Sequence, residues 1–179
     1  MKTSFQDGCN TIYDAIINLG VTPEDKSPSS IAFVITNKLN KRIFSVAFSV
    51  SVVGKASNNA GSVNATAKNT YVLKDDGTLS DSGISKSSSA AVSYISNCSI
   101  ASLTLSDITY DETLDNVTFK VSTSITASNG SGTARCNASQ SFSITNKDTV
   151  TAIDTISKTS STVTQISSIS INSISVSLV

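Results

Sequence analysis

The stretch VTFKVSTSITASNGSGTARCNASQSFSI, running from Val117 to Ile144, decides the fold. In its first half Val117, Phe119, Val121 and Ile125 are apolar at odd positions; in its second half Cys136, Phe142 and Ile144 are apolar at even positions. Between them Asn129-Gly130-Ser131-Gly132 has the composition of a turn. If Ala127 faces Ala134, then Ile125 lies opposite Cys136, Phe119 opposite Phe142 and Val117 opposite Ile144. Because strand side chains alternate between faces, that pairing brings both apolar sets to one side. A slip of one residue would send one set into water, so the pattern specifies its own register.

The same period of two extends through the preceding residues. Phe44, Val46, Phe48, Val50 and Val52 alternate with small or hydroxyl residues, and Ser57-Asn58-Asn59-Ala60-Gly61 follows as a loop. Val63, Ala65, Ala67, Tyr71 and Leu73 then share one parity up to the turn signal Asp75-Asp76-Gly77. Ser80–Ser89 reads as an exposed loop. Strands resume near Val92–Ser96 and Ile100–Tyr110, where a change of parity between Ile100 and Leu103 predicts a bulge. Short strands separated by regular turn signals predict an antiparallel β-sandwich or barrel of about seven to nine strands.

Upstream, the period is helical. Ile12, Ile16 and Leu19 form an apolar stripe with Tyr13 and Ile17 beside it, and Gly20 and Pro23 close the helix. Ser27 is a natural N-cap for a second helix, with Pro28 at the first helical position, where its missing N–H costs nothing. Ile31, Val34, Ile35 and Leu39 form its apolar face. Helices this short are marginal in water without a partner surface. The chain therefore divides into a helical docking element (1–41), a β-sandwich or barrel (42–149) and a C-terminal segment (150–179).

That last segment differs from the rest. Ile166, Ile169, Ile171, Ile174, Val176 and Leu178 alternate loosely with Ser and Thr, and no charge, Gly or Pro occurs from Thr159 to Val179. Soluble monomers protect exposed strand edges with charge, Pro or a cover. Two arrangements fit: a strand completing the chain's own sheet, or one paired with a neighbouring subunit.

Composition narrows the chemistry. Of 179 residues, 36 are Ser and 21 Thr, and 13 basic residues balance 13 acidic ones. Nucleic-acid binding needs a surplus of Lys and Arg to displace counterions, so a zero net charge argues against it. With no His, the usual general base and the commonest neutral metal ligand are missing. No run approaches the ~18 apolar residues of a membrane span, and Met1–Gly8 lacks the apolar core of a secretory signal, which predicts a protein made in a cytoplasm. Cys9, Cys98 and Cys136 show neither CxxC spacing nor an even count, the pattern of buried free thiols. Asp107, Asp111, Glu112 and Asp115 lack the glycine turn of a calcium loop and read as solvated turn acids. Five Asn-x-Ser/Thr sequons, at Asn64, Asn97, Asn116, Asn129 and Asn137, are about what chance yields at this Ser/Thr content. The expectation is a protein without catalytic, cofactor or metal residues.

The segment Ile12-Tyr13-Asp14-Ala15-Ile16, Leu19-Gly20-Val21-Thr22-Pro23, Lys26-Ser27-Pro28-Ser29-Ser30-Ile31 and Ile35 resembles a helical hairpin that recurs in tail and fibre proteins of bacteriophages. The resemblance covers about 25 residues and implies a virion structural protein, made in the host cytoplasm, that self-associates and binds other virion proteins. On that reading Ile12, Ile16, Leu19, Ile31, Val34 and Ile35 make up a docking element. Ile166, Ile169, Ile171, Ile174, Val176 and Leu178 belong to an assembly strand. A receptor- or glycan-binding module, with recognition carried by Ser80–Ser89 and Asn129–Gly132, is the alternative, as is a bacterial surface or pilus subunit.

Overall fold

A computed structural model describes residues 2–18, 22–35, 45–74, 78–110 and 116–179. It divides into a helical unit ending at Phe44 and a β unit from Ser45 to Val179.

The helical unit contains α1 (Lys2–Asn18) and α2 (Pro28–Val34). The α2 start is built as the sequence predicts: Ser27 is extended and its hydroxyl accepts from Ser30 N at 3.2 Å, with Pro28 opening the helix. The stripe on α1 is turned by one position from the expected one. Cys9 and Ile16 are buried with Ile31 and Val34, and Tyr13 packs beside them. Ile12 is left in solvent. Cys9, Tyr13 and Ile16 follow the same i, i+4, i+7 spacing, and a small thiol at its head packs as a hydrophobe. The expected contributions of Leu19, Gly20 and Leu39 lie outside the described residues.

The β unit is a sandwich of two open antiparallel sheets, not a barrel. Its first six strands are β1 (Ser45–Asn58), β2 (Gly61–Lys74), β3 (Leu79–Asp81), β4 (Ser85–Ser88), β5 (Asn97–Tyr110) and β6 (Val117–Asn129). The other four are β7 (Gly132–Thr145), β8 (Thr149–Ala152), β9 (Ser157–Ser161) and β10 (Ser168–Leu178). One sheet runs β10-β1-β2-β3 with β4 also on β2; the other runs β5-β6-β7-β8 with β9 also on β7. The ten strands among the described residues exceed the expected seven to nine because Ser80–Ser89, read as a loop, carries β4 and most of β3. These strands are too short and too exposed to show an alternation of burial.

The hairpin from Val117 to Ile144 has the predicted register, with Val117 opposite Ile144, Phe119 opposite Phe142 and Ile125 opposite Cys136. The bulge in β5 falls between Ile100 and Ser102, where the parity changes. The break between Ile171 and Ile174 is likewise a bulge, since Ile171 pairs with Gly54 and Ser173 with Val53.

The strand order contains a duplication. The strands β1 to β5 correspond in sequence order to β6 to β10. Asn58 corresponds to Asn129, Gly61 to Gly132, Phe48 to Phe119 and Ile95 to Ile166. The last strand of each repeat crosses to the other sheet: β5 pairs with β6, and β10 pairs with β1. A pseudo-twofold axis passes where Phe48 and Phe119 stack, with ring centroids 4.8 Å apart. Their flanking partners match too, Tyr71 at 5.8 Å from Phe48 and Phe142 at 6.1 Å from Phe119. Exchange of the end strands means neither repeat can close its own sheet alone.

Much of the hydroxyl content is spent inside the sheets. Ser49 and Thr70 pair at 3.0 Å, Ser102 and Ser124 at 2.7 Å, and Thr66 and Ser87 at 2.7 Å, each between neighbouring strands. The buried Thr123 donates to Ser102 O at 2.8 Å, so its place in the core leaves no orphaned hydroxyl.

Candidate interaction surfaces

Among the described residues of the helical unit, four large apolar side chains are exposed. Phe33 is 60% exposed and Ile12 46%, and Ile17 and Ile35 are also exposed. Of the docking residues expected from sequence, Ile16, Ile31 and Val34 are buried within the unit, Ile12 and Ile35 face solvent, and Leu19 is not described. Phe33 was missed because it sits off the apolar stripe; its size alone was the signal. The polar side of the hairpin is ordered by local bonds. Asp25 accepts from Ser27 N at 2.7 Å, and hydrogen bonds from Ser27, side chain first, hold its carboxyl below the usual range. Lys26 stands 5.0 Å above the Tyr13 ring.

The C-terminal strand belongs to the chain's own sheet, as one of the two arrangements proposed. Ile166, Ile169, Ile171 and Ile174 lie in the core, and Val176 and Leu178 are half-buried. Their side chains therefore serve this molecule. What β10 leaves open is its backbone on the side away from β1, since it ends the sheet path. Its partner by duplication, β5, also ends a sheet, but carries a second irregularity between Ser106 and Thr109, with Asp107 at φ 52°. From Ser173 to Leu178 β10 runs without a register shift.

At one end of the sandwich the two β-hairpin turns meet two further turns. Asn58 Oδ1 accepts from Ala60 N at 2.9 Å, and its Nδ2 donates to Ser93 O at 2.7 Å and Gln165 O at 3.2 Å. Asn129 repeats the arrangement, accepting from Ser131 N at 2.8 Å and donating to Thr164 O at 2.7 Å. Gly61 and Gly132 follow at φ 146° and 150°, which an L side chain adopts only with strain. The turns held by these asparagines, Val92–Ile95 and Val163–Ile166, are closed by bonds from Ile95 N to Val92 O at 2.9 Å and Ile166 N to Val163 O at 3.0 Å. Their third residues, Tyr94 at φ 64° and Gln165 at φ 70°, occupy a position that normally takes Gly or Asn. Each costs about 1–2 kcal/mol. A cavity of about 510 Å³ opens here, lined by Asn58, Asn59, Ala60, Tyr94, Gln165 and Ser167. Of the two loops expected to carry recognition, Asn129–Gly132 lies at this end, while Ser80–Ser89 forms edge strands.

Among the described residues, no group of three or more Cys, Asp or Glu side chains is placed to hold a metal ion, and no helix is long and apolar enough to cross a membrane. Asp111, Glu112 and Asp115 lie outside the described residues. The three cysteines are buried and free. Burial raises Cys98, whose thiol lies 3.8 Å from Val63 O. Burial also raises Tyr71, whose hydroxyl donates to Leu103 O at 3.4 Å. Asp154 is held below its usual range chiefly by the backbone N–H of Ser141, at 2.8 Å.

The fold and these surfaces define a mainly β, two-sheet protein preceded by a helical pair. No family model, no curated protein and no solved structure matches the chain.

Proposed function

We propose that this chain is a non-enzymatic structural subunit of a phage virion, a tail component that works by self-assembly. The observation that supports this is the set of exposed apolar side chains on the helical unit. Phe33, Ile12, Ile17 and Ile35 are exposed, while the buried cluster among the unit's described residues is Cys9, Ile16, Ile31 and Val34. Exposed large apolar side chains in this number on so small a piece favour an interaction role. The β unit has a large buried core of its own, although Leu79, Ile84, Tyr94, Ile153 and Val179 are exposed on it. The uncharged edge of β10 offers a second contact, since strand addition there meets no like charge.

Sedimentation of the full chain over a wide concentration range tests the reading. Self-association that is lost in the double variant Phe33→Glu, Ile12→Glu is expected, with the β-unit circular dichroism unchanged. A strictly monomeric wild-type protein at high concentration would count against assembly through copies of itself. Immunogold electron microscopy of particles from the source would then decide whether it occupies a virion at all.

A further inference from the structure

We infer that the cavity at the turn end of the sandwich is a binding site for a neutral saccharide, with Tyr94 as its stacking platform. The proposal does not rest on the assembly reading, since every residue involved lies in the β unit and monomeric protein would bind equally well.

The lining groups set the ligand class. Among the described residues no charged side chain lines the cavity, so none of them would compensate a phosphate, carboxylate or ammonium group. Asn58 is fully engaged in tying the turns together and acts as scaffold. The side-chain amides of Asn59 and Gln165 make no hydrogen bond among the described residues, and each offers both a donor and an acceptor. Ser167 spends its hydroxyl proton on Ser57 O at 3.1 Å and keeps acceptor capacity. Tyr94 is 59% exposed and presents an aromatic ring beside them. An aromatic face flanked by paired donor–acceptor groups matches a sugar ring, which is apolar on its C–H face and bears hydroxyls around its rim. The volume falls within the ~300–1,000 Å³ of small-molecule sites.

Backbone strain supplies a second, independent observation. Tyr94 and Gln165 both hold left-handed conformations in turns that glycine would form without cost, and both line this cavity. A bulky residue kept at such a position is a mark of a functional site. The duplication sharpens the point: the two repeats place different side chains at the corresponding positions, an aromatic in one and an amide in the other, as a single asymmetric ligand requires.

An array of neutral and acidic oligosaccharides, followed by amide-resolved NMR titration with maltose, lactose and diacetylchitobiose, tests this. A neutral probe is expected to shift the amides of residues 58–60, 94 and 165–167. Tyr94→Phe keeps the ring and should retain binding. Tyr94→Gly should raise the melting temperature by relieving the turn while weakening binding by about tenfold or more. That opposition separates a ligand role from a structural one, because a merely structural tyrosine would give stability without loss. Gln165→Ala should weaken binding without moving the shifts to another site. Binding of acidic glycans alone, absence of any shift with all three disaccharides, or undiminished binding by Tyr94→Gly would each overturn the proposal.

Discussion

Gly54 and Ile125 occupy corresponding positions in the two repeats and meet across the pseudo-twofold axis, and the substitution Gly54→Ala tests whether that meeting is required. A Cβ at residue 54 would lie 2.6 Å from Ile125 Cδ1, and 3.2 Å from both Ile171 Cδ1 and Ser170 O. Carbon atoms pack best at ~3.5–4.0 Å, so the overlap with Ile125 is about 1 Å. Ile125 is fully buried and cannot swing into solvent. Relief requires an off-rotamer χ angle, a shift of β10, or both, and such overpacking costs about 1–3 kcal/mol. Replacing Gly by Ala returns ~0.4–1 kcal/mol through a less flexible unfolded chain, because the φ of Gly54 lies outside the left-handed region. The net expectation is a loss of about 1–2 kcal/mol, or roughly 2–8 °C in melting temperature.

The control is Ile125→Val, which deletes the offending Cδ1 at a cost of ~0.5–1.5 kcal/mol. In that background Gly54→Ala should fall to within about 0.5 kcal/mol of neutral, giving a coupling energy near 1–2 kcal/mol. The chain has no Trp, so urea unfolding of the four proteins is best followed by circular dichroism. If Gly54→Ala destabilises equally with Val and with Ile at 125, the residues are not coupled and the reasoning about the axis fails.

Further outcomes follow from the same structure. Residues 45–110 and 116–179, made separately, should fold only when mixed, as a one-to-one complex, because each lacks the strand that the other supplies; size-exclusion chromatography with circular dichroism reads this, and independent folding of either piece would refute it. Tyr71 and Cys98 are held above their ordinary values by burial, so their neutral forms favour the folded state. Stability is thus full below the unfolded thiol and phenol values, ~8.5–10, and is lost as pH rises toward the folded ones. Tyr71→Phe should flatten that alkaline loss at little cost, since Phe142 fills the corresponding position in the other repeat. Asn58→Ala leaves Ser93 O, Gln165 O and Ala60 N without their partner and should cost about 1–2 kcal/mol by thermal unfolding, more than the exposed Asn59→Ala. The three thiols should stay inert to a thiol reagent until the protein is denatured.

Long strands were legible because their information is local. The pairs Phe119–Phe142 and Ile125–Cys136 follow from alternation over a tight turn, where the register has one solution that keeps apolar residues out of water. The bulge beyond Ile100 was legible for the same reason: an extra residue inverts the alternation. The short strands β3, β4, β8 and β9 gave no such signal, because three to five mostly exposed residues have no inner face to record. The duplication was written in plain sight, in Ala56-Ser57-Asn58 against Ala127-Ser128-Asn129 and Ile84-Ser85-Lys86 against Ile156-Ser157-Lys158. An abundance of Ser and Thr masks such matches, since many alignments share serines by composition alone. The cavity was the least legible feature, because residues near 58, 94 and 166 become neighbours only when β5 and β10 exchange sheets.

A duplicated fold carries its own control, and that control separates scaffold from function here. Positions that the fold needs twice hold the same chemistry twice: Asn58 and Asn129 pin the turns, Gly61 and Gly132 take positive φ, Phe48 and Phe119 stack on the axis, and Ile95 and Ile166 fill the core. Where the repeats differ although the backbone is the same, the fold is not the cause. Gly54 against Ile125 is one such place, and its consequence is steric: two isoleucines would collide there and two glycines would leave a void, so the asymmetric pair favours one chain over a dimer of identical repeats. Tyr94 against Gln165 is another, and no steric demand explains it, because both side chains point into open cavity at the cost of a strained turn. The strand ends are a third: β5 shifts register between Ser106 and Thr109, while β10 keeps one register from Ser173 to Leu178. Divergence at the axis and at the cavity thus points away from the needs of the scaffold, and the variants at Gly54, Ile125, Tyr94 and Gln165 test those two places separately.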